Sequence, residues 1–396
     1  MFDNISSKYV RKGLLIMGLW PEQHKLEVDF PFLRYRYLVP LAFIIFLISI
    51  PQTVNLFIVY NNLVLITENL TIANLAALLT CMKFFIMKSN GKVLDEAIKS
   101  YVKDWTNLKD KKEKEILTKN ANTSGRISIV TALLAQGTVS IKVFQRLFWV
   151  VLAEINGLER CFVFQSWFPS IMKVTPYYQL VCFGQIVGAY CLGICYAGVD
   201  CFVFMLVFHL CAQFQILRRA LTRMVNSLKN QQNPERFGKV IGVIVRKHEH
   251  LNYLAKTMED SFNSYLLLQV LVSTLLICFQ GFLAFKEIFK SNSFPVNEMS
   301  FLVTYVIYVT SFVYFYCYMG ELLTNSSAEM RNAVFESNWQ QLSTSNIKML
   351  MFIIFRTRRP LQMTAGKFNV LSMQTFSKIV KTAAGYLSVM VHAYKG

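Results

Sequence analysis

The chain of 396 residues is 54% hydrophobic, only 16% charged, and carries a formal net charge of +18. Soluble domains average roughly 25% charged residues, so the composition excludes a soluble globular protein and points to a polytopic membrane protein. In a soluble chain such a basic balance would suggest nucleic acid, but here the cations concentrate on alternate loops and no nucleic-acid partner is expected.

Residues 1–36 are mixed and basic, with Lys8, Arg11, Lys12, Lys25, Arg34 and Arg36. They are expected to form a cytosolic N-terminus without a cleavable signal peptide, because the first apolar run, residues 13–20, ends at Pro21 and charges. Residues 37–60 form a first span whose Pro40 and Pro51 a membrane helix tolerates. Residues 61–67 lack Lys and Arg and read as an outside loop; residues 68–87 return the chain as a second span. The loop 88–126 is lysine-rich, with Asp95, Glu96, Asp104 and Asp110 interleaved, and predicts a solvated cytosolic helix.

Residues 127–149 make a third span in which Lys142 and Arg146 share a face, so they either snorkel outward or line a polar cavity. The next loop holds Glu154, Glu159, Pro169 and Pro176 against two cations, Arg160 and Lys173, and reads as outside. The fourth span starts near residue 177 and runs past 206 toward Arg218, Arg219 and Arg223, too long for one bilayer at ~1.5 Å per residue. The fifth begins at residue 237 with an amphipathic portion (Val245, Leu251, Leu254, Met258) and becomes apolar over 265–285. The sixth spans 300–323 and continues as a polar extension to 342. Apolar residues at helical spacing on these extensions predict a dry intracellular interface.

After residue 342 come a short segment at 345–357, a break at Arg356, Arg358, Arg359 and Pro360, and a last stretch, 368–395, long enough to cross ~30 Å of hydrocarbon. On that stretch Lys378, Thr382, Gly385, Val389 and His392 fall on one helical face. A charge facing lipid costs roughly 2.5 to 3.5 kcal/mol, so the stripe needs a polar neighbour. Either it packs on the chain's other helices, or several copies bring it to a shared axis, with Val389 as an apolar constriction and His392 as a polar ring. The alternation of loops gives an all-α membrane protein with seven spans, the N-terminus cytosolic and the C-terminus extracellular, a cytosolic helical anchor and a split seventh helix.

The remaining signals are weaker. Asp200 lies within the fourth span, where a carboxylate needs a partner; a structural ion pair and a role in gating are both open. Most of the nine cysteines fall inside spans; Cys161 and Cys182 could pair, though free thiols are favoured. His248-Glu-His250 has no third ligand in view, the Asn233-Pro-Glu-Arg-Phe237 run sits in a loop, and no catalytic constellation is present, so neither enzyme activity, metal nor cofactor is expected. Side-chain stripes occur in the outer halves of four spans: Asn69 and Ile72; Val143, Phe144 and Leu147; Tyr178, Val181 and Gln185; and Tyr305, Tyr308 and Phe312. By periodicity alone such stripes are more often helix packing than a ligand site.

The run from Pro360 to Leu387, PLQMTAGKFNVLSMQTFSKIVKTAAGYL, resembles the C-terminal signature of insect odorant receptors. Further matches are Gly18-Leu-Trp-Pro21, Tyr316 and Cys317 with Gly320 and Glu321, and Trp339. The resemblance implies an odorant-gated cation channel: a tetramer with its final helices around a pore, in the dendritic membrane of an olfactory neuron, working with the family's shared co-receptor. It also implies that the four stripes line a pocket for a small volatile odorant, and that Thr382, Gly385, Val389 and His392 line the pore and gate. The chain lacks the long insertion between spans four and five that marks the co-receptor, so an odorant-binding subunit fits better. His392 stands where a Gln would align, and Lys378 and Lys381 would make a homomeric cation pathway poor. A gustatory-type receptor channel and a G-protein-coupled receptor are the alternatives; the final helix of this chain lacks the pattern of the first, and the second requires the opposite orientation.

Overall fold

A computed structural model describes residues 5–20, 35–108, 110–157, 160–228, 234–290 and 296–395. Pro21, Lys25, Arg34, Glu159 and Asn233, named above, lie outside them. Ten helices account for nearly all of the described chain: α1 (Ile5–Ile16), α2 (Leu38–Ile58), α3 (Leu63–Ser89), α4 (Gly91–Thr106), α5 (Lys111–Ile155), α6 (Tyr177–Leu228), α7 (Pro234–Lys290), α8 (Val296–Phe335), α9 (Thr344–Arg356) and α10 (Met373–Lys395). Of these, α2, α3, α5, α6, α7 and α8 are long and apolar enough to cross a membrane. The seventh expected span, α10, has the length at 23 residues but is more polar than the six. The end of the bundle that carries the 160–176 loop is called the upper end below, and the opposite end the lower.

Helix starts follow the local sequence. Asn62 caps α3 by accepting from the backbone N–H groups of Val64 (3.1 Å) and Leu65 (3.2 Å), and Asp110 caps α5 through Lys112 N (3.0 Å). A π-turn at Ile45–Ser49 lies within α2 between its two prolines, and another at Leu70–Asn74 lies within α3. The three helices expected to outrun the bilayer are each continuous, with 52, 57 and 40 residues in α6, α7 and α8.

Helix α6 runs through the middle of the bundle: 83% of its apolar window is buried, against 28% for α2 and 33% for α5 at the periphery. It packs on α5, α8, α7, α3, α2 and α1. The N-terminal region is more than a basic leader, because Val10, Leu14, Met17, Leu19 and Trp20 are buried and the Trp20 ring meets Phe202 edge-on at 5.9 Å. At the lower end, ion pairs tie the extensions together. Arg218 of α6 bridges Glu329 and Glu336 of α8, each at 2.7 Å, and Asp104 of α4 holds both His209 (3.1 Å) and Lys247 (2.7 Å).

Between α9 and α10 the chain turns through a small hairpin, β1 (Thr364–Ala365) paired antiparallel with β2 (Asn369–Val370). Gly366 and Lys367 both take positive φ there. Lys367 pairs with Asp260 and with Glu259 (3.3 Å), and Gly366 N donates to Asn263 O (3.0 Å), so the hairpin is strapped to α7. Residues 368–370, expected as the start of the last span, belong to this hairpin, and the helix begins at Met373.

Candidate functional site

The four predicted stripes separate into two groups. In the first, Asn69, Tyr178 and Gln185 are buried and hold the upper loop instead of facing a void. Asn69 Nδ2 donates to Gln165 O (3.3 Å), Tyr178 Oη donates to Cys161 O (2.7 Å), and Gln185 Oε1 accepts from Phe164 N (3.2 Å) while its amide donates to Ser166 Oγ (3.2 Å). Val181 is buried beside them. The loop 160–168 therefore folds back into the bundle as a plug. Cys161 and Cys182 remain separate thiols.

In the second group, Tyr305, Tyr308 and Phe312 stack along α8 as part of an aromatic column. Successive centroids from Phe301 to Tyr305, Tyr308, Phe312 and Tyr316 lie 5.6, 6.0, 4.9 and 6.4 Å apart. Tyr196 of α6 joins it at 6.2 Å from Tyr308 and 5.8 Å from Phe312. On α5, Val143 is buried and Leu147 half-buried, but Phe144 is 69% exposed and points away from the bundle, so it does not join the other candidates.

The column ends at an ion pair, of which the sequence singles out one member. Lys83 Nζ of α3 lies 2.7 Å from both carboxylate oxygens of Asp200 and 3.2 Å from Tyr196 O, with the Tyr196 ring 3.6 Å below it; both charged side chains are fully buried. Tyr265 and Tyr316 close the cage, their hydroxyls 3.2 Å apart. Asp200 was legible as a carboxylate needing a partner. Lys83 carried the matching signal, a cation deep in an apolar run.

At the top of the column opens a chamber of about 300 Å³ between α3, α5, α7 and α8. Ile72 lines it, as do Lys142 and Arg146, which thus face a polar cavity. A larger cleft of about 980 Å³ lies at the lower end, lined by His248, Lys256, Arg356, Arg358 and Arg359, and contains none of the predicted ligand residues. Burial, with Arg356 nearby, holds the His248 imidazole below its ordinary pKa. At the same end burial pushes Asp104 up, but His209 and Lys247 outweigh it and hold the carboxyl below the usual range. His248 Nδ1 faces Asn252 Nδ2 (3.3 Å) and His250 Nε2 faces Ser100 Oγ (3.0 Å), so the histidine pair serves packing contacts.

Helix α10 is two-faced. Ile379 and Ala383 are buried against the bundle, the Phe376 ring meets Tyr314 of α8 edge-on at 5.6 Å, Tyr394 meets Phe282 of α7 at 5.5 Å, and Met390 Sδ lies 3.5 Å from Cys278 Sγ. Gly281 makes room for Leu387, whose Cδ2 lies 2.8 Å from where a Cβ would stand, and Gly320 does the same for the Leu371 carbonyl at 2.5 Å. The opposite face carries Lys378, Thr382, Gly385, Val389 and His392, all exposed, with Val389 at 67%. The stripe does not pack on its own chain.

Six long apolar helices with a charge pair buried among them define a multi-pass helical membrane protein. A profile described as 7tm Odorant receptor matches residues 62–384. Curated relatives from Drosophila melanogaster include Odorant receptor 9a, 26% identical over 225 residues (56% of this chain, 54% of that protein), and Odorant receptor 67c, 25% identical over 241 residues (60% and 57%). In these matches the chain spans about half the length of each relative. Odorant receptor 85c matches more broadly, at 22% identity over 316 residues and 79% of both chains. Among solved structures, the olfactory receptor OR5 from Machilis hrabei in complex with eugenol superposes with a TM-score of 0.79 at 13% identity, covering 98% of each chain. The chain belongs to the 7tm Odorant receptor family.

Proposed function

We propose that this chain is the odorant-binding subunit of a heteromeric, odorant-gated cation channel in the plasma membrane of olfactory neurons, working with the family's co-receptor. Its upper end and C-terminus face outside, its N-terminus faces the cytosol, and the lower extensions anchor neighbouring subunits. One observation carries the reading: α7 and α8, which wall the upper chamber, are also the helices that hold α10, and they leave its polar stripe uncovered.

Odorant enters the upper chamber, where Phe301, Ile72 and Leu302 supply apolar surface. Movement of Phe301 reaches Tyr305, Tyr308 and Phe312 through ring contacts and reaches α10 through Tyr314 and Phe376. A ligand that prefers the open arrangement by ~3 kcal/mol changes the open-to-closed ratio about a hundredfold. In the assembly Val389 forms the constriction, with Thr382, Gly385 and His392 along the same face. Because Lys378 and Lys381 are cationic, the co-receptor supplies most of the conducting surface.

The test is whole-cell current during an odorant panel, with the chain alone and with the co-receptor, and with G-protein signalling blocked. A fast cation current that needs the co-receptor and survives the block is expected. Loss of the response under the block would assign the chain to a metabotropic class. Silence across the panel, with the chain at the surface, would overturn odorant gating.

A further inference from the structure

The upper chamber is built around a charge that lacks an acceptor. Lys142 is 8% exposed, yet among the described residues its ammonium makes no hydrogen bond and no ion pair: the Phe301 ring lies 4.5 Å from Nζ, and Glu298 and Glu68 act on it only at longer range. Arg146 lies one helical turn further along α5 and lines the same space. The carboxylates of Glu68 and Glu287 are drawn to Lys286, at 3.7 and 2.9 Å, and Glu68 also accepts from Gln165 (2.9 Å). Glu298 is the third carboxylate of the chamber. The lining sets Lys142 and Arg146 against Glu68, Glu287 and Glu298, and Lys286 behind it, paired with two of those carboxylates, brings the count to neutral, which favours a neutral occupant. What it lacks is an oxygen for Lys142 Nζ.

We infer that the chamber takes small neutral volatiles bearing a carbonyl oxygen, esters, ketones and aldehydes, with that oxygen accepting a hydrogen bond from Lys142 Nζ and the alkyl part against Phe301, Ile72 and Leu302. Lys142 is then a specificity-determining residue. An occupant must replace the hydrogen bonds that the ammonium would otherwise make to solvent. A carbonyl oxygen restores the hydrogen bond, while an alkane leaves a buried charge without one and loses affinity for that reason. A carboxylic acid or an amine brings a net charge into a balanced site, which costs desolvation without a spare counter-charge.

This inference rests on the odorant-binding reading, and the experiment separates the two. Heteromeric channels are titrated with methyl hexanoate, heptane, hexanoate and hexylamine, and half-maximal concentrations are compared between wild type, Lys142→Met and Lys142→Arg at matched surface expression. The ester is expected to be more potent than heptane by about tenfold or more, the worth of one hydrogen bond to a charged donor. Lys142→Met is expected to erase that ratio, and Lys142→Arg to retain part of it, a pattern that a packing defect would not produce. Equal potency of ester and alkane in wild type, greater potency of the acid or amine, or an unchanged ratio in Lys142→Met would overturn the inference. Independently, Ile72→Cys labelled with a bulky thiol reagent is expected to block odorant currents of every class, with wild type as the control for native thiols. Intact currents after labelling would remove the chamber as the ligand site altogether.

Discussion

Helix α6 crosses the middle of the bundle with a carboxylate in its apolar stretch, and Lys83 meets that carboxylate inside the same chain, with both side chains fully buried. Helix α10 also interrupts its apolar sequence with polar groups, yet its own chain leaves Lys378, Lys381, Thr382 and His392 exposed and covers only the other face. The difference separates two uses of polarity in a membrane helix. A charge matched within the chain fixes helix register and belongs to the fold. A stripe matched by nothing in the chain fits the proposed assembly, because lipid is the costly alternative. Variants of α6 should therefore act on folding, and variants of the α10 stripe on current.

The largest effect is expected where the internal match is broken. Lys83→Met leaves Asp200 buried without its counter-charge, an arrangement that typically costs about 3 to 5 kcal/mol, and surface expression should fall to a small fraction of wild type. Lys83→Met combined with Asp200→Leu should recover most of it, since an apolar pair of similar volume is often tolerated. A double variant no better than the single would show that the pair does more than match charge. Next in size is Gly320→Leu, which drives a side chain into the Leu371 carbonyl at the root of α10; about 1 to 3 kcal/mol of overpacking should lower thermal stability and uncouple ligand from current. Arg218→Ala removes two ion pairs between α6 and α8 at partly exposed positions, so a loss of about 1 kcal/mol is expected in a thermal-shift measurement.

A smaller effect is expected from His248. Its pKa is depressed in the folded chain, so its contribution to stability is present above the ordinary histidine value and is lost as the pH falls through the folded value. Purified protein should lose stability on acidification below about pH 6.5, and His248→Gln should flatten that part of the profile.

How far the sequence reached depends on whether the signal was local. The long helices were legible because hydropathy and loop charge are read over adjacent residues, and the polar stripe of α10 because its positions recur every three or four residues, though not that its own chain leaves it exposed. Contacts that join distant segments were not. Gln185 and Asn69 read as a ligand stripe, but both bond to the 160–168 loop, Asn69 through Gln165 O and Gln185 through Phe164 N and Ser166 Oγ, a loop far along the chain from Asn69. Phe144 shares a helical face with Val143 only loosely, and at 100° per residue the two diverge enough for one to be buried and the other exposed. The packing of α1 and the 364–370 hairpin had no periodic pattern to announce them.

The smallest expected change in stability comes from Val389→Ala, and that variant sharpens the comparison most. Val389 is 67% exposed in the isolated chain, so trimming it removes no internal contact and surface expression and thermal stability should match wild type. In the heteromer, a side chain at the shared axis would set the width and dryness of the closed pore, and a smaller one would let the constriction wet. Basal current should therefore rise while the odorant concentration for half-maximal response changes little, because the chamber lies at the other faces of α7 and α8. If basal and evoked currents both match wild type, Val389 is not the gate. If stability falls with no change in current, α10 is packed by its partner subunits as ordinary core, and the distinction drawn between α6 and α10 fails.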